Sequence, residues 1–315
     1  MTAVWVVGSN GLLGSALQRV LQRRNDHVFT PAGRFNWGNE SELNIQLEMT
    51  VKAFVAFVGN GNKWQIYWAA GIGNFASTEA ELATETQTLS TLLKLIESEA
   101  KLTTTEGGLA FSSSAGAIYA GAKDDVISEN TAVSPTTDYA KEKLKQEKLL
   151  TNFGKKNNKV TILLARISTL YGPGQADGKR QGLLAHIARC ILRNQSVNIY
   201  VPLDTIRDYI TADDAASIMV ASLSEIRGSS GAHTKIIASE KATTIAEIIS
   251  VFKRIARRRP RIVASASKLS SLYTRRIQFK SIVIPVDKKL LKTSLLVGVA
   301  QVLSAERFAL TRSRR

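Results

Sequence analysis

The 315-residue sequence has a single cysteine, Cys190, so a disulfide framework is excluded and the reducing cytoplasm is the expected compartment. Cys190 lies in the apolar run Ile187–Leu192 and reads as a packed core residue rather than a nucleophile. Histidine is equally sparse. His27, His186 and His233 are scattered without ligand spacing, and no metal site is expected. No run of about 18 apolar residues is present, which excludes a hydrophobic membrane-spanning helix. The opening MTAVWVVGSNG lacks a basic segment and a cleavage site, and reads as a strand and turn instead of a leader. No repeat period is visible.

Acidic residues are nearly missing from the last fifth of the chain. Residues 250–315 hold 17 Lys and Arg against Asp287 and Glu306, a net of +15 out of +16 for the whole protein. The first four-fifths is close to neutral. A basic segment of this kind seeks phosphate on a small substrate, a nucleic acid or a lipid headgroup, or forms a solvated surface. No aromatic stacking pattern accompanies the charge, so no specific nucleic-acid partner is expected, whereas peripheral contact with an anionic membrane is.

With 44% hydrophobic and 22% charged residues the chain is long and apolar enough to bury a core. Short apolar runs at Ala3–Val7, His27–Thr30, Ile66–Ala70, Leu109–Ser113 and Val160–Ile167 read as strands. Between them, helical periods cover 12–23, 41–57, 79–99 and 137–153. This alternation predicts an α/β protein built on a Rossmann-like, doubly wound parallel sheet. After Tyr171 the pattern loosens, with helices expected at 182–193, 213–225 and 244–257 and strands near 197–201 and 235–238. The expected division is a dinucleotide-binding domain over 1–171, with part of 205–240 added. A smaller, basic α/β substrate domain over 172–315 would interleave with it.

The turn Gly8-x-x-Gly11-x-x-Gly14 follows a strand and opens a helix. In that setting the first glycine permits a tight turn, the second lets backbone approach a pyrophosphate, and the third allows close helix–strand packing. The segment after the second strand, Thr30-Pro31-Ala32-Gly33-Arg34, has no acid to accept from the ribose 2′-hydroxyl of NAD. Arg34 would suit the 2′-phosphate of NADP, or is an exposed loop arginine. Tyr139 and Lys143 are four apart on one helical face, where an ammonium would stabilise a phenolate and lower the tyrosine pKa. Ser112-Ser113-Ser114 ends a central strand, at the edge where open parallel sheets bind ligands.

These motifs, in this order, resemble the extended short-chain dehydrogenase/reductases, specifically the nucleotide-sugar epimerase/dehydratase group. Also in register are Ala69-Ala70-Gly71, the run from Arg166 through Thr169 and Tyr171 to Gln175, and the run from Arg207 to Ala216. The resemblance extends from Val4 to about Leu303. It implies Tyr139 as catalytic acid/base, Lys143 as ligand of the nicotinamide ribose, and Ser114 as the group orienting the substrate oxygen, with Ser113 as the other choice. It also implies that NAD or NADP is wrapped by Gly8, Asn10, Gly11, Leu12, Leu13 and Gly14 and underlain by Ala69, Ala70, Gly71 and Ser112. A substrate diphosphate would meet Thr169 and Arg207, joined by Arg275 or Arg276. The implied activity is hydride transfer at a sugar hydroxyl, as an epimerase or as an NADP-dependent ketoreductase, in a homodimer. The rival from another class is a non-catalytic dinucleotide-binding protein or a basic surface binder. The chain departs from the family's usual pattern at Trp68 (often His), Thr169 (often Asn) and Asn36 (an adenine-side Asp). Ala115-Gly116 stands where dehydratases carry Asp-Glu, which disfavours dehydration.

Overall fold

A computed structural model describes the whole chain except residues 1, 61, 72, 74–76, 175–181, 259, 265–275, 286–292 and 313–315. Its first part alternates strands and helices: β1 (Thr2–Val7), α1 (Leu12–Arg23), β2 (His27–Phe29), α2 (Glu40–Val58), β3 (Lys63–Trp68), α3 (Glu79–Ser98), α4 (Ala100–Thr104), β4 (Gly107–Ser114), α5 (Ala115–Ile118), α6 (Asp138–Lys156) and β5 (Val160–Ile167). There follow β6 (Thr169–Tyr171), α7 (Leu183–Leu192), β7 (Ser196–Ile199), β8 (Ile206–Thr211), α8 (Ala212–Glu225), β9 (Gly231–Ile237), β10 (Ala242–Thr244), α9 (Ile245–Ala256), β11 (Arg261–Ala264) and α10 (Leu295–Arg312).

The main sheet has the order β2-β1-β3-β4-β5-β9, and every pairing in it is parallel. Strand alternation divides β1 between two cores. Ala3, Trp5 and Val7 face a layer formed by α2, α3 and α6, while Val4 and Val6 face α1 and α8. Both faces are therefore covered, which is why the strands read as continuous apolar runs rather than as an alternation. Trp5 and Trp64 lie fully buried in the first core.

The chain leaves β1 for β2 on one side and returns to β3 on the other. The strand order thus reverses between β1 and β3, and that switch point opens a crevice at the carboxyl ends of the strands. Beyond β5, Ser168 leads directly into β6, which starts a second sheet of order β10-β8-β6 at the same edge. A two-stranded parallel ribbon, β7 with β11, is packed with α7, α9 and α10 around a third core. The segment 212–237 returns to the main layers: α8 packs on α1, and β9 extends the large sheet.

Candidate active site

The glycine turn is built by steric exclusion. Gly8 has φ +84°, in the left-handed region, and a side chain on it would meet Ala70 N at 2.6 Å. A Cβ at Gly14 would strike the Gly8 carbonyl, so α1 packs against the turn only because that carbon is missing. Gly11 N donates to Gly8 O at 3.0 Å, and Gly11 is the N-cap of α1. Asn10 and Gly11 stand at the helix mouth, and Leu12 and Leu13 form its first turn, Leu13 buried. The unpaired N–H groups and positive dipole end of α1 thus face the switch point. Ala69 N donates to Val7 O at 2.9 Å, which draws the Ala69-Ala70-Gly71 turn alongside. A backbone cradle of this shape fits a dinucleotide pyrophosphate. Arg34 is exposed on the loop after β2, where Asn36 is tied by its backbone N–H to Gln46 Oε1 and by its amide to Glu42.

One strand over, β4 delivers the three serines, whose alternation separates their surroundings. Ser112 Oγ donates to Trp68 O at 2.8 Å and pins β4 to β3. Ser113 points the other way and donates to the buried carboxylate of Glu147 at 2.6 Å. Ser114 is hydrogen-bonded to the Tyr139 hydroxyl. Of the two serines weighed for the substrate oxygen, only Ser114 is placed at the phenol.

Tyr139 and Lys143 lie in the first two turns of α6, which begins where Thr137 Oγ1 accepts from Ala140 N at 3.2 Å. The Lys143 ammonium is buried, 5.8 Å from the Tyr139 ring centroid and 5.1 Å from that of Phe111. It donates to Glu85 Oε1 at 2.7 Å and to Gln146 Oε1 at 3.0 Å. Glu85 Oε2 in turn accepts from Gly73 N at 3.1 Å. A Cβ on Gly73 would lie 3.2 Å from Glu85 Oε2 and 3.3 Å from the Tyr139 ring, so glycine leaves these two side chains their room.

This arrangement corrects one expectation. The Tyr139 pKa is raised, not lowered: burial pushes it up, the Lys143 ammonium and the Ser114 hydrogen bond pull it down, and the Glu85 carboxylate pushes it up again. Burial would depress Lys143, but Glu85 and Tyr139 hold its pKa above the usual ammonium value. Burial would raise Glu85, but Lys143 holds it below the usual carboxylate range. The contribution of the pair to stability is thus complete between the ordinary carboxylate and ammonium ranges. It is lost as pH falls through the folded-state pKa of Glu85 or rises through that of Lys143.

Glu85 is the functional side chain that the sequence reading missed. It stands 58 positions from Lys143, in a helix that carries three other glutamates, so nothing local distinguishes it. Replacing Glu85 with glutamine removes a charge that raises the phenol. The pH at which Tyr139 ionises is expected to fall, moving the acid limb of the kcat/KM profile to lower pH.

On the second sheet, Thr169 is exposed at the start of β6, opposite Tyr209 of β8. Arg207 lies on β8, where its Nη1 donates to Ile206 O at 2.7 Å. Arg276 comes next to it, because Ile206 bridges Arg276 and Ile277 N donates to Ile206 O at 3.2 Å. Two of the expected diphosphate ligands therefore share one ribbon. Arg275 and Gln175 lie outside the described residues.

Known proteins share this chain's sequence pattern and fold. The profile of the NAD dependent epimerase/dehydratase family matches residues 4–236. The chain belongs to that family. The resemblance read from the motifs therefore holds: this is an enzyme of the extended short-chain dehydrogenase/reductase type, and its cofactor class is a nicotinamide dinucleotide. A curated relative within reach is dTDP-4-dehydro-6-deoxyglucose reductase of Escherichia coli, 33% identical over 113 residues. That match covers 36% of this chain and 35% of the relative, so the chain is matched to only about a third of the reductase's length. Among solved structures, MoeE5 in complex with UDP-glucuronic acid and NAD superposes with a TM-score of 0.77 at 20% identity, covering 98% of this chain and 99% of the other. RMD from Pseudomonas aeruginosa complexed with NADPH gives 0.76 at 20% identity over 98% and 100%. UDP-glucose 4-epimerase from Bifidobacterium longum gives 0.75 at 18% identity over 98% of each. At such identities the structures establish a shared fold. The doubly wound architecture expected from the sequence is the one these epimerase/dehydratase folds have.

Proposed function

We propose that this member of the epimerase/dehydratase family oxidises or reduces a sugar carbon of a nucleoside-diphosphate sugar, with Tyr139 as the acid/base. The observation that carries the reading is the convergence of Ser114, Tyr139 and Lys143 at the carboxyl ends of β4 and α6's first turns, beside a glycine cradle at the switch point. Gly8, Asn10, Gly11, Leu12, Leu13 and Gly14 would hold the pyrophosphate, and Ala69, Ala70, Gly71 and Ser112 would underlie the dinucleotide. When bound, the dinucleotide accepts hydride from the alcohol carbon or returns it.

The chain's own contribution is a proton and its placement. Ser114 donates to the substrate oxygen and fixes it against Tyr139. In the oxidative direction the Tyr139 phenolate takes the hydroxyl proton as the carbon loses hydride, leaving a ketone. In the reductive direction the phenol gives the proton back to the carbonyl oxygen. Lys143 has three N–H bonds, of which two are directed to Glu85 and Gln146. The third is the one to bind a ribose hydroxyl while the ammonium charge supports the phenolate. Arg207 and Arg276 would neutralise the substrate diphosphate from the second sheet, with Thr169 adding a hydroxyl.

If the ketone stays bound and hydride returns to its other face, the enzyme is an epimerase; if the product leaves, it is a reductase. The absence of an acid after β2 and the exposed Arg34 favour the second, with NADP as cofactor. A thermal-shift screen of NAD⁺ and NADP⁺ with a panel of nucleotide sugars identifies the ligands, since whatever binds the folded state stabilises it, and stoichiometric consumption of reduced coenzyme then separates a reductase from an epimerase. Arg34→Ala is expected to weaken NADP⁺ by roughly 10-fold or more and to leave NAD⁺ nearly unchanged, the loss of one hydrogen bond to a charged group. Equal losses for both dinucleotides would remove Arg34 from the 2′-phosphate. A homodimer is part of the same reading, checked by sedimentation equilibrium.

A further inference from the structure

Most of the chain's excess charge is not used by the reaction. α7 and α9 each run into a strand of the β7–β11 ribbon, and those strands are parallel, with Arg261 in register with Ser196. The carboxyl ends of both helices therefore lie at the same edge of the third core. Arg193 ends α7 there, and Lys253, Arg254, Arg257 and Arg258 come from the last turn of α9 and just past it, with Arg261 opening β11. All six are exposed. The second half of α10 joins them, because Glu306 pairs with Arg189 at 3.0 Å, and it adds exposed Arg307 and Arg312.

A helix carboxyl end attracts one or two cations through its dipole. That accounts for Arg193 and Arg254 but not for the rest. Arg257 holds φ +52°, a left-handed position that glycine fills with least strain, so a positive side chain is kept there against backbone preference. The only acids on these elements among the described residues are Glu247, which caps the opposite end of α9, and Glu306, already paired. Large apolar side chains lie among the cations. Phe308 on α10 is 61% exposed and carries the Arg312 guanidinium over its ring, and Val263 of β11 is also exposed.

We propose that this edge of the α7–α9–α10 core docks the enzyme on an anionic phospholipid bilayer. Cations supply attraction to the headgroups, and Phe308 and Val263 supply insertion at the interface. A bilayer fits better than a nucleic acid because the charge is spread over three helix ends and a short ribbon. Among the described residues, no helix or hairpin projects from it to enter a groove.

The test uses the full chain, without cofactor or substrate, so its outcome is independent of the reaction assigned above. Cosedimentation is measured with vesicles of pure phosphatidylcholine and with vesicles containing phosphatidylglycerol. Binding is expected only to the second, weakening steeply as salt is raised. The triple variant Arg257→Gln, Arg258→Gln, Arg261→Gln should partition about 100-fold less, at about 1 kcal/mol for each cation lost. A control removing three exposed charges of α6, Lys148→Gln, Lys155→Gln, Lys156→Gln, should bind like the parent, with thermal melts showing both variants folded. Binding that ignores lipid charge or salt would overturn the proposal. So would equal losses in the two triple variants, or tighter binding of an oligonucleotide competitor than of the vesicles.

Discussion

Tyr139→Phe is expected to abolish turnover while cofactor binding survives. The ring remains to pack against Lys143 and the Gly73 turn, so the cradle at β1 keeps its geometry. What disappears is the phenolic oxygen hydrogen-bonded to Ser114. General acid/base groups are worth about 10²–10⁴-fold in rate. A fall of that size in kcat, with thermal stabilisation by NAD⁺ or NADP⁺ retained, is the expected result. Turnover within a few-fold of the parent would assign the proton transfer elsewhere, and loss of both readouts would mean that the hydroxyl supports the fold. The raised Tyr139 pKa adds a pH signature. Since proton abstraction requires the phenolate, oxidation should speed up as pH rises, whereas reduction, which uses the phenol, should be favoured at lower pH.

The largest stability effect should come from behind the site. Arg166 of β5 donates through Nε and Nη2 to the two oxygens of Glu147 on α6, at 3.0 and 2.6 Å, and through Nη1 to the Tyr119 hydroxyl at 2.6 Å. Ser113 adds a further donor to Glu147. Glu147 and Arg166 are both buried, so Glu147→Ala leaves a guanidinium in low dielectric without its counter-ion. A loss of about 3–5 kcal/mol is expected, read from urea unfolding. Replacing the pair with apolar residues of similar volume should cost far less, because the penalty is for the orphaned charge. This network also joins β4, β5, α6 and Tyr119 at the end of α5, so Glu147→Ala should displace Ser114 relative to Tyr139 and reduce activity in the protein that remains folded.

The large sheet was legible because buried parallel strands carry their own signal, as in Val160–Ile167, where every residue is buried. The glycine turn was legible because steric exclusion selects one residue type. The second half was harder to read. β10 and β11 are three and four residues long and partly polar, and their pairing comes from tertiary contacts rather than pattern. α10 contains Gly298, which weakens a helical reading; here it lets the helix lie directly against the Tyr171 ring. In the site, strand alternation alone puts Ser112 and Ser114 on one face and Ser113 on the other. The partner of Lys143 was invisible, since Glu85 meets it only when α3 packs against α6. The expected direction of the Tyr139 shift failed for the same reason: spacing revealed the ammonium but neither its counter-ion nor the desolvation around the phenol.

The bond between Glu85 and Lys143 bears on how long a dinucleotide is kept. Oxidised nicotinamide carries a positive ring and the reduced form does not. A lone ammonium would disfavour the oxidised form electrostatically, whereas a lysine already matched by a carboxylate leaves that corner nearly neutral. Charge at that corner then biases binding toward neither redox form, so swapping spent coenzyme for fresh, as a reductase must, meets no electrostatic penalty there.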